Sequence, residues 1–311
     1  MGDERESAME RAVSSGARLR SLMDAGCVAM PGAFNALAGI AIRDAGFDAC
    51  YVSGAATTAG AGVPDVGVLT LNEFAKVIGE VARASGLPVL ADADTGFGEA
   101  EMVRRTVVEY ARAGAAGLHI EDQQFPKRCG HLDGKALVAT DHMVEKVEWA
   151  RKASDDATGG DFVVCARTDA AGVEGVDAAI ARARAFIEAG ADMIFPEGLR
   201  TREEFAEVAK ALKGGALKGG ARGGKRSLYL LANMTEFGKT PMIPLSEFAA
   251  MGYDCVIYPV TLLRIAMGAV TRALATLKEQ GTAEPLLGEM LTRQELYRLL
   301  GYTPGTAWEW R

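Results

Sequence analysis

One short polar stretch puts a cysteine where chemistry is possible. Lys127, Arg128, Cys129, Gly130 and His131 follow one another, and no apolar side chain lies within two positions of the thiol. Cys27, Cys50, Cys165 and Cys255 sit instead in apolar runs, where a free cysteine is ordinarily a small buried hydrophobe. Cationic neighbours favour the thiolate, so Cys129 reads as a reactive thiol able to exchange a proton near neutrality. A second group is acidic: Asp92, Asp94 and Glu121, joined by Asp65. Hard oxygen donors without added cysteine or histidine favour Mg2+ over zinc. Asp92 and Asp94 alternate along a strand-like run and should point the same way, and two such carboxylates repel unless a cation lies between them. The competing reading pairs one of them with Arg167 and needs no metal. A third group, Arg167, Asn233, Arg264 and Arg293, can hold carboxylates, while Ser53, Gly54 and Ala55 offer a hydroxyl and backbone N–H groups to an anion. This inventory suits a small polycarboxylate better than a sugar or a nucleotide.

These groups need a frame that gathers them. Eight short apolar runs recur, at 27–30, 49–54, 87–94, 117–122, 162–169, 193–198, 228–234 and 255–260. Continuous apolar runs suit strands buried on both faces of a parallel sheet. Amphipathic stretches of helical length lie between them, and Gly46, Gly114, Gly190 and Gly252 recur just before the next run, where a left-handed residue ends a helix. The alternation predicts an α/β fold, a (β/α)8 TIM-type barrel with extra C-terminal helices. An open doubly wound sheet is the alternative, but no GxGxxG follows the first strand. In a barrel of this type the site forms at the strand C-termini, and nearly every run closes on a polar residue.

Two segments fall outside the repeat. The glycine-rich, basic segment 213–227 precedes a strand and lacks a Walker pattern, and reads as a flexible surface insertion. The reading divides the chain into a barrel domain, 1–280, and a helical extension, 281–311, packed on the barrel or on a neighbouring subunit.

The chain has 311 residues, a formal net charge of -7 and 49% hydrophobic residues. An acidic balance argues against nucleic acid and anionic membranes as partners. No apolar run spans a bilayer, and the polar N-terminal stretch has no signal-peptide core. The expectation is a cytoplasmic enzyme with reduced cysteines.

Several motifs together, KRCGH, DADTGFG, GLHIED, ARTDA, FPE and TEFGKTP, resemble the isocitrate lyase and phosphoenolpyruvate mutase superfamily. The resemblance covers about residues 27–300 and is strongest to its bacterial 2-methylisocitrate-cleaving branch. It implies an α/β barrel with a C-terminal helix, near 261–279 or beyond, swapped between subunits of a homotetramer. It also implies Mg2+, with Mn2+ as a substitute, held by Asp92 with Asp94, Asp65 and Glu121 directly or through water. Ser53, Gly54 and Ala55 would hold the keto-acid carboxylate; relatives often carry a second glycine at the last position. Gly130, His131, Asn233, Met234, Thr235, Arg264 and Arg293 would hold the succinate half. Arg167 would face the metal-bound oxygens, Glu197 would orient its neighbours, and Cys129 would be the acid–base thiol. The implied reaction is a Mg-assisted retro-aldol cleavage to pyruvate and succinate, with Cys129 delivering a proton to the carbon. Tyr51 and a water on the metal are both open as the base. Phe195, Ile257 and Pro259 would line the pocket for the substrate methyl, with a bulkier aromatic expected in isocitrate lyases at the Phe195 position. Isocitrate, 2,3-dimethylmalate and oxaloacetate remain alternative substrates, and an inactive carboxylate-binding scaffold is a fourth alternative. The thiol counts against a phosphoenolpyruvate mutase.

Overall fold

The computed structural model describes residues 13–128, 134–213 and 227–308. Eight parallel strands form the barrel: β1 (Val28–Pro31), β2 (Cys50–Val52), β3 (Val89–Asp92), β4 (Gly117–Glu121), β5 (Val163–Thr168), β6 (Met193–Pro196), β7 (Tyr229–Asn233) and β8 (Cys255–Tyr258). The helices are α1 (Ser15–Ala25), α2 (Ala36–Asp44), α3 (Gly54–Gly60), α4 (Leu71–Ser85), α5 (Ala100–Ala113), α6 (Thr140–Thr158), α7 (Val176–Glu188), α8 (Arg202–Lys213), α9 (Leu245–Met251), α10 (Thr261–Gln280) and α11 (Arg293–Leu299). The strands pair in the order β1-β8-β7-β6-β5-β4-β3-β2. The ring closes where Gly32 bridges Tyr51 and the Ala33 N–H donates to the Tyr51 carbonyl at 2.8 Å. A Cβ on Gly32 would stand 2.1 Å from the Pro259 carbonyl oxygen, so the first and last strand exits approach more closely than any side chain permits.

Period-two alternation divides the strand residues between two apolar layers. Tyr51, Leu90, Cys165, Met193, Phe195, Leu231, Cys255 and Ile257 face the barrel interior, where Leu19 and Met23 of α1 join them. Val52, Ala91, Leu118, Val164, Ala166 and Ile194 face outward onto Phe74, Ile78, Val103, Val107 and Phe186 of the helices. Gly46, Gly114, Gly190 and Gly252 all adopt positive φ, as the helix-ending pattern predicts. Thr70 and Glu73 close a capping box at the start of α4, fixing the helix that follows the Asp65 loop.

The helix α10 breaks the packing rule. None of its residues is buried, and Ile265, Met267 and Leu274 are each more than half exposed. α11 and Trp308 border a groove with Ile40 of α2 and Ala84 of α4. Of the glycine-rich segment, 214–226 lies outside the described residues. No helix among the described residues is long and apolar enough to cross a membrane.

Candidate active site

The strand C-termini converge on a narrow cavity of about 80 Å³ lined by Tyr51, Ser53, Ala55, Asp65, Asp92, Lys127, Arg167, Phe195, Glu197, Asn233, Thr235, Ile257, Pro259, Val260 and Arg264. Most of the residues singled out from sequence therefore meet. Glu121 lies just behind, its Oε2 3.3 Å from Arg167 Nε, and Asp94 stands outside the lining, joined to it by Lys127 at 2.7 Å. Three more do not join them. Arg293 is exposed at the start of α11. Met234 follows the rim residue Asn233 and turns outward into the helix-facing layer, where its sulfur accepts from the Ile243 N–H at 3.1 Å. Gly54 contributes backbone alone: its N–H donates to Asp92 Oδ2 at 2.9 Å. A Cβ there would meet that oxygen at 2.6 Å. Cys129, Gly130 and His131 lie outside the described residues.

One wall is acidic. Asp92 ends β3, accepting from Gly54 and, at 3.0 Å, from the Asp94 N–H. Asp94 does not continue the strand alternation expected of it. It stands past the strand end in the left-handed region, φ 45°, and reaches the shared space through this turn. Burial disfavours the Asp92 anion, but His119, Lys127, Arg167 and the Asp94 N–H outweigh it and hold its pKa at about 2. Burial and the Asp92 charge push Asp94 up to about 6, against the pull of Lys127. Burial also raises Glu121 well above the carboxylate range, against Arg167. Asp94 Oδ2 and Glu121 Oε1 are buried and accept no hydrogen bond from the described residues, an expensive state for carboxylate oxygens.

Lys127 is the residue that sequence reasoning passed over. It was weighed only as a neighbour of the thiol, yet it is 3% exposed. It bridges Asp65 and Asp94, the latter at 2.7 Å. Burial alone would lower its pKa, but Glu121, Asp92, Asp94 and Asp65 raise it above the ordinary lysine value. Arg167, offered in one reading as the partner of Asp92 or Asp94, instead pairs with Asp169, its Nε 2.9 Å from Oδ2. Lys135 holds the other Asp169 oxygen at 2.7 Å.

The other wall is cationic, polar and apolar in turn. The Asn233 amide donates to Glu197 Oε2 at 3.2 Å. Arg264, in the first turn of α10, donates to Thr235 Oγ1 at 3.4 Å and to the Glu236 carbonyl at 2.6 Å. Phe195 stands edge-on to His119, centroids 5.3 Å apart, with the Arg167 guanidinium 5.1 Å over its face. At the floor the Tyr51 hydroxyl and His119 Nε2 share a hydrogen bond of 2.7 Å. Burial lowers the His119 pKa to about 4 and raises Tyr51 well above the phenol range, so near neutrality the pair is a neutral imidazole and a protonated phenol. A roomier cavity of about 380 Å³ opens on the far side of Asp94, between Leu69, Phe97 and Phe125. Asp94 and Thr95 line it together with Asn72 and Arg105.

With this geometry in hand, comparison with known proteins is direct. The model of the family described as phosphoenolpyruvate phosphomutase matches residues 19–278. The chain belongs to the phosphoenolpyruvate phosphomutase family. A Corynebacterium glutamicum member, the probable 2-methylisocitrate lyase 1, is 50% identical over 273 residues, covering 88% of this chain and 84% of that protein. The crystal structure of a 2,3-dimethylmalate lyase, itself described as belonging to the phosphoenolpyruvate mutase/isocitrate lyase superfamily, aligns with a TM-score of 0.83 at 38% identity, covering 93% of this chain and 92% of that one. A phosphonopyruvate hydrolase solved with oxalate and Mg2+ aligns with a TM-score of 0.77 at 29% identity, covering 93% and 95%. The phosphoenolpyruvate phosphomutase family and the barrel are thus as the motifs led one to expect.

Proposed function

We propose that this chain is a carbon–carbon lyase that splits 2-methylisocitrate into pyruvate and succinate, with Mg2+ as cofactor and Cys129 as general acid. The observation that carries the reading is the division of the cavity. Asp65 and Asp92 line one side, backed by Asp94 through Lys127 and by Glu121 beside Arg167; Asn233, Thr235 and Arg264 stand at the β7 and α10 side next to Ile257 and Pro259, and Phe195 of β6 comes between. A substrate with carboxylates at both ends and a methyl between them fits this pattern. The half-identical relative that bears the 2-methylisocitrate lyase name supports the choice.

The residues fit Mg2+. Asp94 Oδ2 and Glu121 Oε1 are buried oxygens without donors, and the ammonium of Lys127 already stands between Asp65 and Asp94, a position that rewards positive charge. Among the described residues no three His, Cys, Asp or Glu side chains draw together as a chelate. Asp92, Asp94, Asp65 and Glu121 would hold it, and the phosphonopyruvate hydrolase solved with Mg2+ supports its use; Mn2+ would substitute. Bound there, the cation would polarise the substrate hydroxyl and the keto-acid oxygens.

The chain supplies the rest. Gly54 fixes Asp92, while Ser53 and the backbone at Ala55 face the keto-acid carboxylate. Tyr51 and His119 form a relay that can carry the hydroxyl proton away, since the imidazole is neutral and hydrogen-bonded to the phenol. Arg264 and Asn233 would grip the succinate half, with His131 assigned to the same grip. Glu197 orients Asn233, and Arg167, locked by Asp169, steadies the charge that develops as the bond breaks. Cys129 protonates the carbon.

The barrel (1–280) and the extension (281–311) would assemble as a homotetramer in the cytoplasm. The exposed Ile265, Met267 and Leu274 of α10 support exchange of that helix between copies; light scattering that returned a monomer at assay concentration would refute it. The deciding test of function is pyruvate and succinate release from 2-methylisocitrate beside isocitrate, 2,3-dimethylmalate and oxaloacetate. Faster turnover of any of the other three would overturn the substrate.

A further inference from the structure

A second polar cavity, of about 450 Å³, lies outside the site just described, where α5 and α6 begin. Gly98, Glu99, Gln124, Ala139, His142 and Lys146 are among its walls. Both helices are long, and neither N-cap residue, Glu99 or Ala139, caps its helix with a side-chain hydrogen bond. Two positive helix ends therefore face one space.

The telling residue is Lys146. It is 5% exposed, and its ammonium donates to the Thr95 carbonyl at 3.0 Å. Among the described residues it pairs with no carboxylate within ion-pair distance. Burial pushes its pKa below the ordinary lysine value, and Glu99 pulls it partway back. A buried charge without a counter-ion is costly, and the proposed catalytic chemistry does not use this one. One turn earlier His142 reaches the same space, where its Nε2 contacts Glu99. Glu99 is mostly exposed at its side chain and can yield its place to another anion.

We infer that this cavity is a binding site for a small dianion, a phosphate-like oxyanion or a short dicarboxylate, held by Lys146, His142 and the N-termini of α5 and α6. Bound there it neutralises Lys146 and competes with Glu99 for His142. The site also has a route to the proposed catalytic segment. Gln123, on the same wall, accepts from the Arg128 N–H and donates to the Arg128 carbonyl, both at 2.9 Å.

The test measures binding of inorganic phosphate, sulfate and succinate to the full-length protein by calorimetry and thermal shift, against sodium chloride of equal ionic strength. Saturable binding is expected. Lys146→Met should weaken it by about tenfold or more, since one partner of a buried charge pair is removed. Glu99→Gln should tighten it by about a few-fold, as expected for losing an exposed competing charge. Arg264→Gln, in the catalytic cavity, should leave phosphate and sulfate binding unchanged and remove only succinate held at the catalytic cavity. Lys146→Met should also melt no lower than wild type in anion-free buffer, which separates lost binding from lost folding. Phosphate and sulfate binding identifies an oxyanion site; succinate binding alone, kept in Arg264→Gln and lost in Lys146→Met, identifies a dicarboxylate site. Equal responses in wild type and Lys146→Met, or none beyond the chloride control, would overturn the inference.

Discussion

The two walls of the catalytic cavity solve different problems. The wall built from β3, β4 and the Asp65 loop crowds acids that are almost wholly buried, and it leaves two carboxylate oxygens without donors. On the wall built from β7, β8 and α10 the donors are engaged: the Asn233 amide N–H rests on Glu197, and the partly exposed Arg264 rests on Thr235 and Glu236. Crowded buried carboxylates mark a place that rewards a cation, whereas donors on a wetter wall can exchange their internal partners for a substrate's carboxylate. The acidic wall should therefore govern turnover and the opposite wall binding.

The largest effect should come from neither wall. Cys129→Ser should lower kcat by roughly 10²–10⁴-fold, the range of a lost general acid, while KM stays near normal. Stopped-assay rates near wild type would remove the thiol from the mechanism. On the acidic wall, exhaustive chelation and Asp92→Ala should each cut kcat by about 10²–10³-fold, as loss of a preorganised electrostatic group does, and Mg2+ should restore only the chelated wild type. Full activity after chelation would refute the division at its root.

On the opposite wall, Arg264→Gln should raise KM by roughly 10–100-fold, the worth of a charged hydrogen bond, and change kcat far less. A kcat loss matching that of Asp92→Ala would mean that the walls do not divide the labour. Between them, Phe195→Trp should lower kcat/KM for 2-methylisocitrate relative to isocitrate by about tenfold or more, since a single methyl in a fitted pocket carries that discrimination. Equal losses on both substrates would place the methyl elsewhere.

The smallest effect concerns stability of the metal-free protein. Burial and the Asp92 charge raise Asp94 from an ordinary carboxyl value of 3.8 to about 6 in the fold. The folded state thus keeps a proton that the unfolded chain has released between those values, so this group weakens the fold as pH rises through that window. Asp94→Asn should lack this loss and exceed wild type by about 3 kcal/mol at pH 7 in chelator. Parallel pH–stability curves for the two proteins would show that Lys127 cancels the burial.

Much of this comparison was legible in the residues. Strand runs, helix-ending glycines and the polar residue closing each run require only local periodicity, and they delivered both the barrel and most of its rim. What was missed was partly long-range geometry, as at Lys127, and partly local competition, as at Arg167. Lys127 meets Asp65 across a span of chain that no local pattern links, and Arg167 chose Asp169, two residues on, over the acids proposed for it. Met234 could have been excluded by parity, because Asn233 faces the cavity and its neighbour must turn away. Asp94 was assigned to the right place for the wrong reason: the glycines of DADTGFG announced a turn, and the turn delivers its carboxylate.

The seam of the barrel carries a consequence for how the protein is made. β1 forms its ladder with β8 and meets β2 through the bridge at Gly32. The first strand to leave the ribosome must therefore wait for the last before its edge is paired. Contacts of such sequence separation form late, after the loop entropy between them has been met. Tyr51, Pro259 and Val260 stand at that seam and also line the cavity. A chain still in synthesis can build helices and neighbouring strands, but its catalytic chamber comes into being only when β8 has emerged.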